Sequence, residues 1–71
     1  MKLVINGKEA DLTGDLSVSG LLVEHKVEMP EMVSVELNGQ IVRRNKFDDT
    51  VLKEGDKVEF LYFMGGGRGT N

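Results

Sequence analysis

Two Asn-Gly pairs do most to limit what this chain can fold into. Asn6-Gly7 separates the apolar run at residues 2–5 from the run at residues 8–12, and Asn38-Gly39 separates residues 32–37 from residues 40–42. A two-residue hairpin loop of type I′ needs positive φ at both central residues, and Asn and Gly tolerate it best. Two antiparallel hairpins are therefore expected, one at the start of the chain and one past its middle.

Between them, Val18, Leu21, Leu22 and His25 recur at spacings of three and four, which puts them on one face of a helix over residues 17–26. Asp15 or Ser17 can supply the N-cap oxygen. Gly20 weakens this helix by about 1 kcal/mol relative to alanine. Packing rather than propensity has to hold it, and Gly20 is expected to allow close approach to a sheet. Pro30 blocks any continuation.

Val33, Val35 and Leu37 alternate with Ser34 and Glu36, the pattern of a half-buried strand. Residues 43–52 read as an irregular polar loop, with Phe47, Val51 and Leu52 expected to anchor it to the core. Lys53-Glu54-Gly55-Asp56 is a turn, and the last strand runs over residues 57–63. The order is strand, strand, helix, strand, short strand, loop, strand. The inward set is Leu3, Ile5, Val33, Val35, Leu37, Val58 and Phe60, with Val18, Leu21 and Leu22 from the helix.

Composition removes several function classes. At 71 residues the chain is one domain, burying about 60–65% of its unfolded surface. No cysteine is present, so neither a disulfide framework nor a thiolate metal site is available. A single histidine excludes a histidine metal cluster and a nucleophile-histidine triad of credible geometry, and no metal is expected. No run of about 18 apolar residues exists to span a membrane. The first residues break into a turn too early for a signal peptide, so a cytoplasmic location is expected. A net charge of −3 argues against nucleic acid, whose phosphates demand a basic face.

Directly after the last strand come Gly65-Gly66-Gly67 and then Arg68-Gly69-Thr70-Asn71. Glycine samples φ of either sign and has no side chain, so such a run can thread a channel that rejects any Cβ. A frayed terminus is the plainer alternative. The expected division is a domain over residues 1–63 and a flexible glycine tail over residues 64–71.

The whole pattern resembles the β-grasp, ubiquitin-like fold: α+β, with a mixed sheet of four or five strands and one helix packed on one face. More narrowly, it is similar to the thiamine-pathway sulfur carrier family (ThiS), a relative of the molybdopterin-synthase small subunit. Three stretches carry the resemblance: Lys2-Leu3-Val4-Ile5-Asn6-Gly7, then Val35-Glu36-Leu37-Asn38-Gly39-Gln40-Ile41-Val42-Arg43-Arg44, then Leu52 through Phe60 leading to Phe63-Met64-Gly65-Gly66-Gly67. A Gly-Asp turn before the last strand and glycines directly after it are specific in combination.

The resemblance implies a carrier and not an enzyme, with no cofactor of its own. In the family an adenylating enzyme (ThiF- or MoeB-like) uses ATP to activate the terminal glycine carboxylate, and sulfur then replaces one oxygen to give a thiocarboxylate. A thiazole synthase (ThiG-like) takes the sulfur. The reacting residue here would be Gly67, with Gly65 and Gly66 filling the channel. Because the chain continues past Gly67, a processing protease is implied. Three readings stay open: a precursor cut after Gly67, a remnant trimmed by native enzymes, and a domain that has lost carrier function. Sulfur supply for homocysteine, cysteine or molybdopterin is the alternative pathway, and a ubiquitin-like binding module without sulfur is the alternative class.

Val4, Leu61 and Phe63 alternate opposite to the inward set. They are expected to form, with Met64, a partner-binding surface on the open sheet face. Loop coverage of one or two of them is the bland alternative. Arg43 and Arg44 read as solvated surface charges, with docking to an acidic partner as the sharper option. Asp48, Asp49, Glu54 and Asp56 lack the ligand series of a calcium loop and read as loop charges and turn formers. His25 reads as a boundary residue of the helix.

Overall fold

The computed structural model describes residues 1–62. Strands β1 (Lys2–Ile5) and β2 (Lys8–Asp11) form the first hairpin, and α1 (Val18–Glu24) follows. A 3-10 turn at Pro30–Met32 leads into β3 (Val33–Leu37) and β4 (Gln40–Val42), and the chain closes through a second 3-10 turn at Arg44–Lys46 into β5 (Lys57–Tyr62). The sheet order is β2-β1-β5-β3-β4, so the last strand is the central one. It runs parallel to β1 and antiparallel to β3. This is the mixed five-stranded sheet with one helix that the resemblance implied.

Both Asn-Gly pairs turn as expected. Asn6 and Gly7 have φ of 51° and 83°, and Asn38 and Gly39 have 53° and 85°. Each asparagine also does more than turn. The Asn6 carboxamide oxygen accepts from Phe60 N at 2.9 Å, extending the β1–β5 pairing past the point where β1 ends. The Asn38 oxygen accepts from Lys57 N at 2.9 Å, and its NH2 donates to Asp56. The two hairpins are thus tied to the central strand by the side chains that make their turns.

The core lies between one sheet face and α1. Leu3, Ile5, Val33, Val35 and Val58 come from the sheet, and Val18, Leu21 and Leu22 from the helix. Phe47 and Leu52 of the long loop close it, whereas Val51 is 57% exposed, contrary to its expected role as an anchor. Val51 pairs with Ser17 in an isolated bridge, which turns its side chain outward between two inward loop residues.

With seven residues, α1 is too short to stand alone, and the long loop caps it. Val18 N donates to Thr50 O at 2.9 Å and Ser19 N to Phe47 O at 3.1 Å. Ser17 Oγ accepts from Gly20 N at 3.1 Å. Those three bonds satisfy donors that a helix start leaves unpaired. Gly20 does not serve a close approach to the sheet. A Cβ there would sit 3.3 Å from Leu16 Cδ2, so its neighbours are the residues just before the helix.

The helix ends in a Schellman motif. Lys26 N donates to Val23 O at 3.1 Å and Val27 N to Leu22 O at 3.0 Å. Half-buried Val27 packs on the core beside them. The left-handed position of this motif normally holds glycine, but here Lys26 occupies it at φ 55°. Lys26→Gly is therefore expected to stabilise the fold by about 0.5–1 kcal/mol, the left-handed penalty less the added entropy of an unfolded glycine. Urea unfolding measures this directly, and an unshifted midpoint would mean that Lys26 carries no strain.

Candidate functional site

The candidate site expected from the sequence falls at the end of β5 and on the sheet face opposite the helix. Strand alternation sends Lys57, Glu59 and Leu61 to that outer face, and Val58, Phe60 and Tyr62 inward. Val4 pairs with Lys57 across β1–β5, and Leu61 with Ser34 across β3–β5. Val4 and Leu61 therefore share the open face, both half-buried, as the alternation predicts. They do not form one touching cluster. Four positions along β5 separate their levels, roughly 13 Å of strand. Leu61 stands at the tail end and Val4 near the start of β5. Phe63, Met64, Gly65, Gly66 and Gly67 lie outside the described residues.

One outer-face residue was missed from the sequence. Ile41 pairs with Glu36 and is 58% exposed, an apolar side chain on the same face as Leu61. Its signal was the register of Gln40-Ile41-Val42, where Val42 pairs with inward Val35 and Ile41 must point outward. The rest of the face is polar, Ser34 aside mostly charged. Glu36 and Glu59 stand directly opposite each other, with Lys57 two positions away on the same strand.

Around Tyr62 the structure gathers several elements. The Tyr62 hydroxyl donates to Glu28 O at 2.8 Å. His25, the C-cap of α1, lies against Phe60 with ring centroids 5.9 Å apart. His25 is exposed and sits at the helix boundary, as expected. Asn6, His25, Met29, Phe60 and Tyr62 border a shallow groove beside the point where β5 ends.

Arg44 is not the solvated charge that the sequence suggested. Its guanidinium donates to Pro30 O at 2.9 Å and Val33 O at 2.7 Å, and it lies 5.3 Å over the Phe47 ring. Arg43 remains exposed. Three of the four acidic loop residues act as turn and loop formers. Asp56 accepts from Lys53 N at 2.8 Å, Glu54 accepts from Lys2 N at 3.0 Å, and Asp48 accepts from the Ser19 hydroxyl. Among the described residues no group of three potential metal ligands comes together. No helix there is long and apolar enough to cross a membrane.

The family model described as the ThiS family matches residues 3–67. Among characterised relatives, the thiazole synthase of Paramagnetospirillum magneticum is 40% identical over 67 residues, covering 94% of this chain and 20% of that protein. The chain thus spans about one fifth of that relative's length. The sulfur carrier protein ThiS of Bacillus subtilis is 30% identical over 66 residues, covering 92% of this chain and 98% of that one. The crystal structure of the thiamine biosynthesis protein (ThiS) from Geobacter metallireducens superposes with a TM-score of 0.88 at 52% identity, covering 94% of this chain and all of that one.

Proposed function

The chain belongs to the ThiS family, and on that premise we propose that it is the sulfur carrier for thiazole formation in thiamine biosynthesis. It is a co-substrate of partner enzymes and performs no catalysis itself. The observation that carries the reading is where the family match stops: at Gly67, the last of three consecutive glycines. Gly67 is the fifth residue after Tyr62, the last residue of the central strand β5. Extended, five residues reach about 17 Å, enough to carry a carboxyl group into a partner's active site.

The chemistry follows from the carboxylate. It is a poor electrophile, so a partner must give it a leaving group. Attack of a Gly67 carboxylate oxygen on the α-phosphorus of ATP releases pyrophosphate and leaves an acyl adenylate. A sulfide equivalent from a donor displaces AMP and leaves the thiocarboxylate. A thiazole synthase then takes the sulfur in exchange for an oxygen, supplied by water or by the sulfur acceptor, which regenerates the carboxylate. Dependence on ATP fits a cytoplasmic carrier. Gly65 and Gly66 would fill the channel, and Val4, Leu61, Phe63 and Met64 would meet the adenylating enzyme. A stretch similar to nearly this whole chain occurs within a much longer thiazole synthase, which supports that enzyme as the sulfur acceptor.

Gly67 is followed by Arg68, so its carboxylate exists only once that peptide bond is cut. The decisive measurement is the intact mass of the chain after exposure to extract of its native cell with ATP and a sulfur donor. The expected product has lost residues 68–71 and exchanged one oxygen for sulfur. A mass that stays at the full chain would overturn the carrier reading in favour of a binding module.

A further inference from the structure

An acidic row crosses the outer sheet face where its two apolar levels part. Glu36 and Glu59 stand opposite each other across β3–β5, and Ile41 continues the row on β4. Along β5, Glu59 lies midway between Lys57, at the level of Val4, and Leu61. The two glutamates thus fill the gap between Val4 and Leu61. Half-buried Glu36 and exposed Glu59 line a shallow depression together with Asn38, Gly39 and Lys57.

This arrangement is unfavourable to the domain by itself. Residues opposed in a ladder hold their Cβ atoms about 5 Å apart, and like charges there destabilise the sheet. Among the described residues the one ion pair joins Met1 and Asp11, so no cation of those residues is paired with either glutamate. Lys57 borders the depression without forming such a pair. A local rule broken in this way is expected chiefly at functional sites. The rest of the face agrees in sign, since Glu9 and Asp11 of β2 share it against Lys2 and Lys57.

We propose, resting on the carrier reading above, that this face docks the adenylating enzyme through one arginine of that enzyme seated between Glu36 and Glu59. Val4, Leu61 and Ile41 surround the seat with apolar contact. A guanidinium presents five N–H donors in one plane, enough to serve two carboxylates at once, and its charge cancels their repulsion. A second copy of this chain is the wrong occupant. Two copies meeting through this face would set acidic rows against each other, in a chain whose net charge is already −3.

The test is calorimetric titration, without ATP, of the adenylating enzyme purified from the same organism. Both the full chain and the chain cut after Gly67 are titrated. Glu36→Gln and Glu59→Gln keep the shape and remove one charge each. Each is expected to raise Kd about tenfold or more. The thermal midpoint of each is expected to rise by about 1–4 °C, because the repulsion is relieved. Loss of binding in a variant more stable than the parent is not what damage to the fold produces. Glu24→Gln makes the same charge change on the helix, across the sheet from this face, and is expected to leave Kd unchanged. An unchanged Kd in both glutamate variants overturns the proposal, and so does an equal rise in Glu24→Gln, which would mean that net charge alone is sensed. Weakened binding to thiazole synthase alone, or a dimer of the unaltered chain that Ile41→Ser dissociates, gives the face to another occupant and overturns it as well. Failure of the unaltered chain to bind in either form sinks the carrier reading itself, a result distinguishable from equal binding by parent and variants.

Discussion

Leu21→Ala is expected to remove about 2–5 kcal/mol of stability, most of what a domain of this size possesses. Leu21 is completely buried, and with Val18 it is one of two helix side chains with no exposure at all. The helix has two turns and contributes little by propensity. What holds it is its apolar face on Leu3, Val35 and Val58, together with the loop carbonyls at its start. Truncation leaves a cavity that the sheet, fixed by four ladders, closes poorly. The thermal midpoint should fall on the order of 20 °C. Leu21→Met conserves volume and should cost less than about 1.5 kcal/mol. Thermal unfolding of the pair by circular dichroism decides the matter, and equal midpoints would show that burial at this position does not hold the helix.

The second large effect concerns the proposed reacting residue. In the chain cut after residue 67, Gly67→Val is expected to slow adenylation about 100-fold, because a branched Cβ crowds both the reacting carbon and the channel walls. The thermal midpoint should not move, since among the described residues the buried core lies within residues 3–58. Pyrophosphate exchange and thermal unfolding on the same preparation separate the two effects. Activation at the unaltered rate would remove the threading argument. A falling midpoint would mean that the tail contributes to the fold.

The parts of this molecule that were legible in its sequence are those governed by neighbouring residues. Asn-Gly needs positive φ at both positions, and the structure shows it twice. Val33, Val35 and Leu37 alternate, and that alternation places the half-buried strand whatever it pairs with. The glycine run and the Gly-Asp turn marked the candidate site because both depend on backbone chemistry alone.

Other features depended on contacts that no local rule reaches. Arg44 looked like a solvated charge because its acceptors lie 14 and 11 residues back, on a loop whose path only the packed sheet decides. Val51 looked like an anchor because it is apolar, but its bridge to Ser17 turns it outward. Asn6 reaches Phe60 across 54 residues because β5 inserts beside β1 in the middle of the sheet. By itself, the sequence determined the hairpins and the helix face, through torsional preference and periodicity. Only the tertiary structure decided that the last strand became the central one, because strand order is set by packing between residues far apart in the chain.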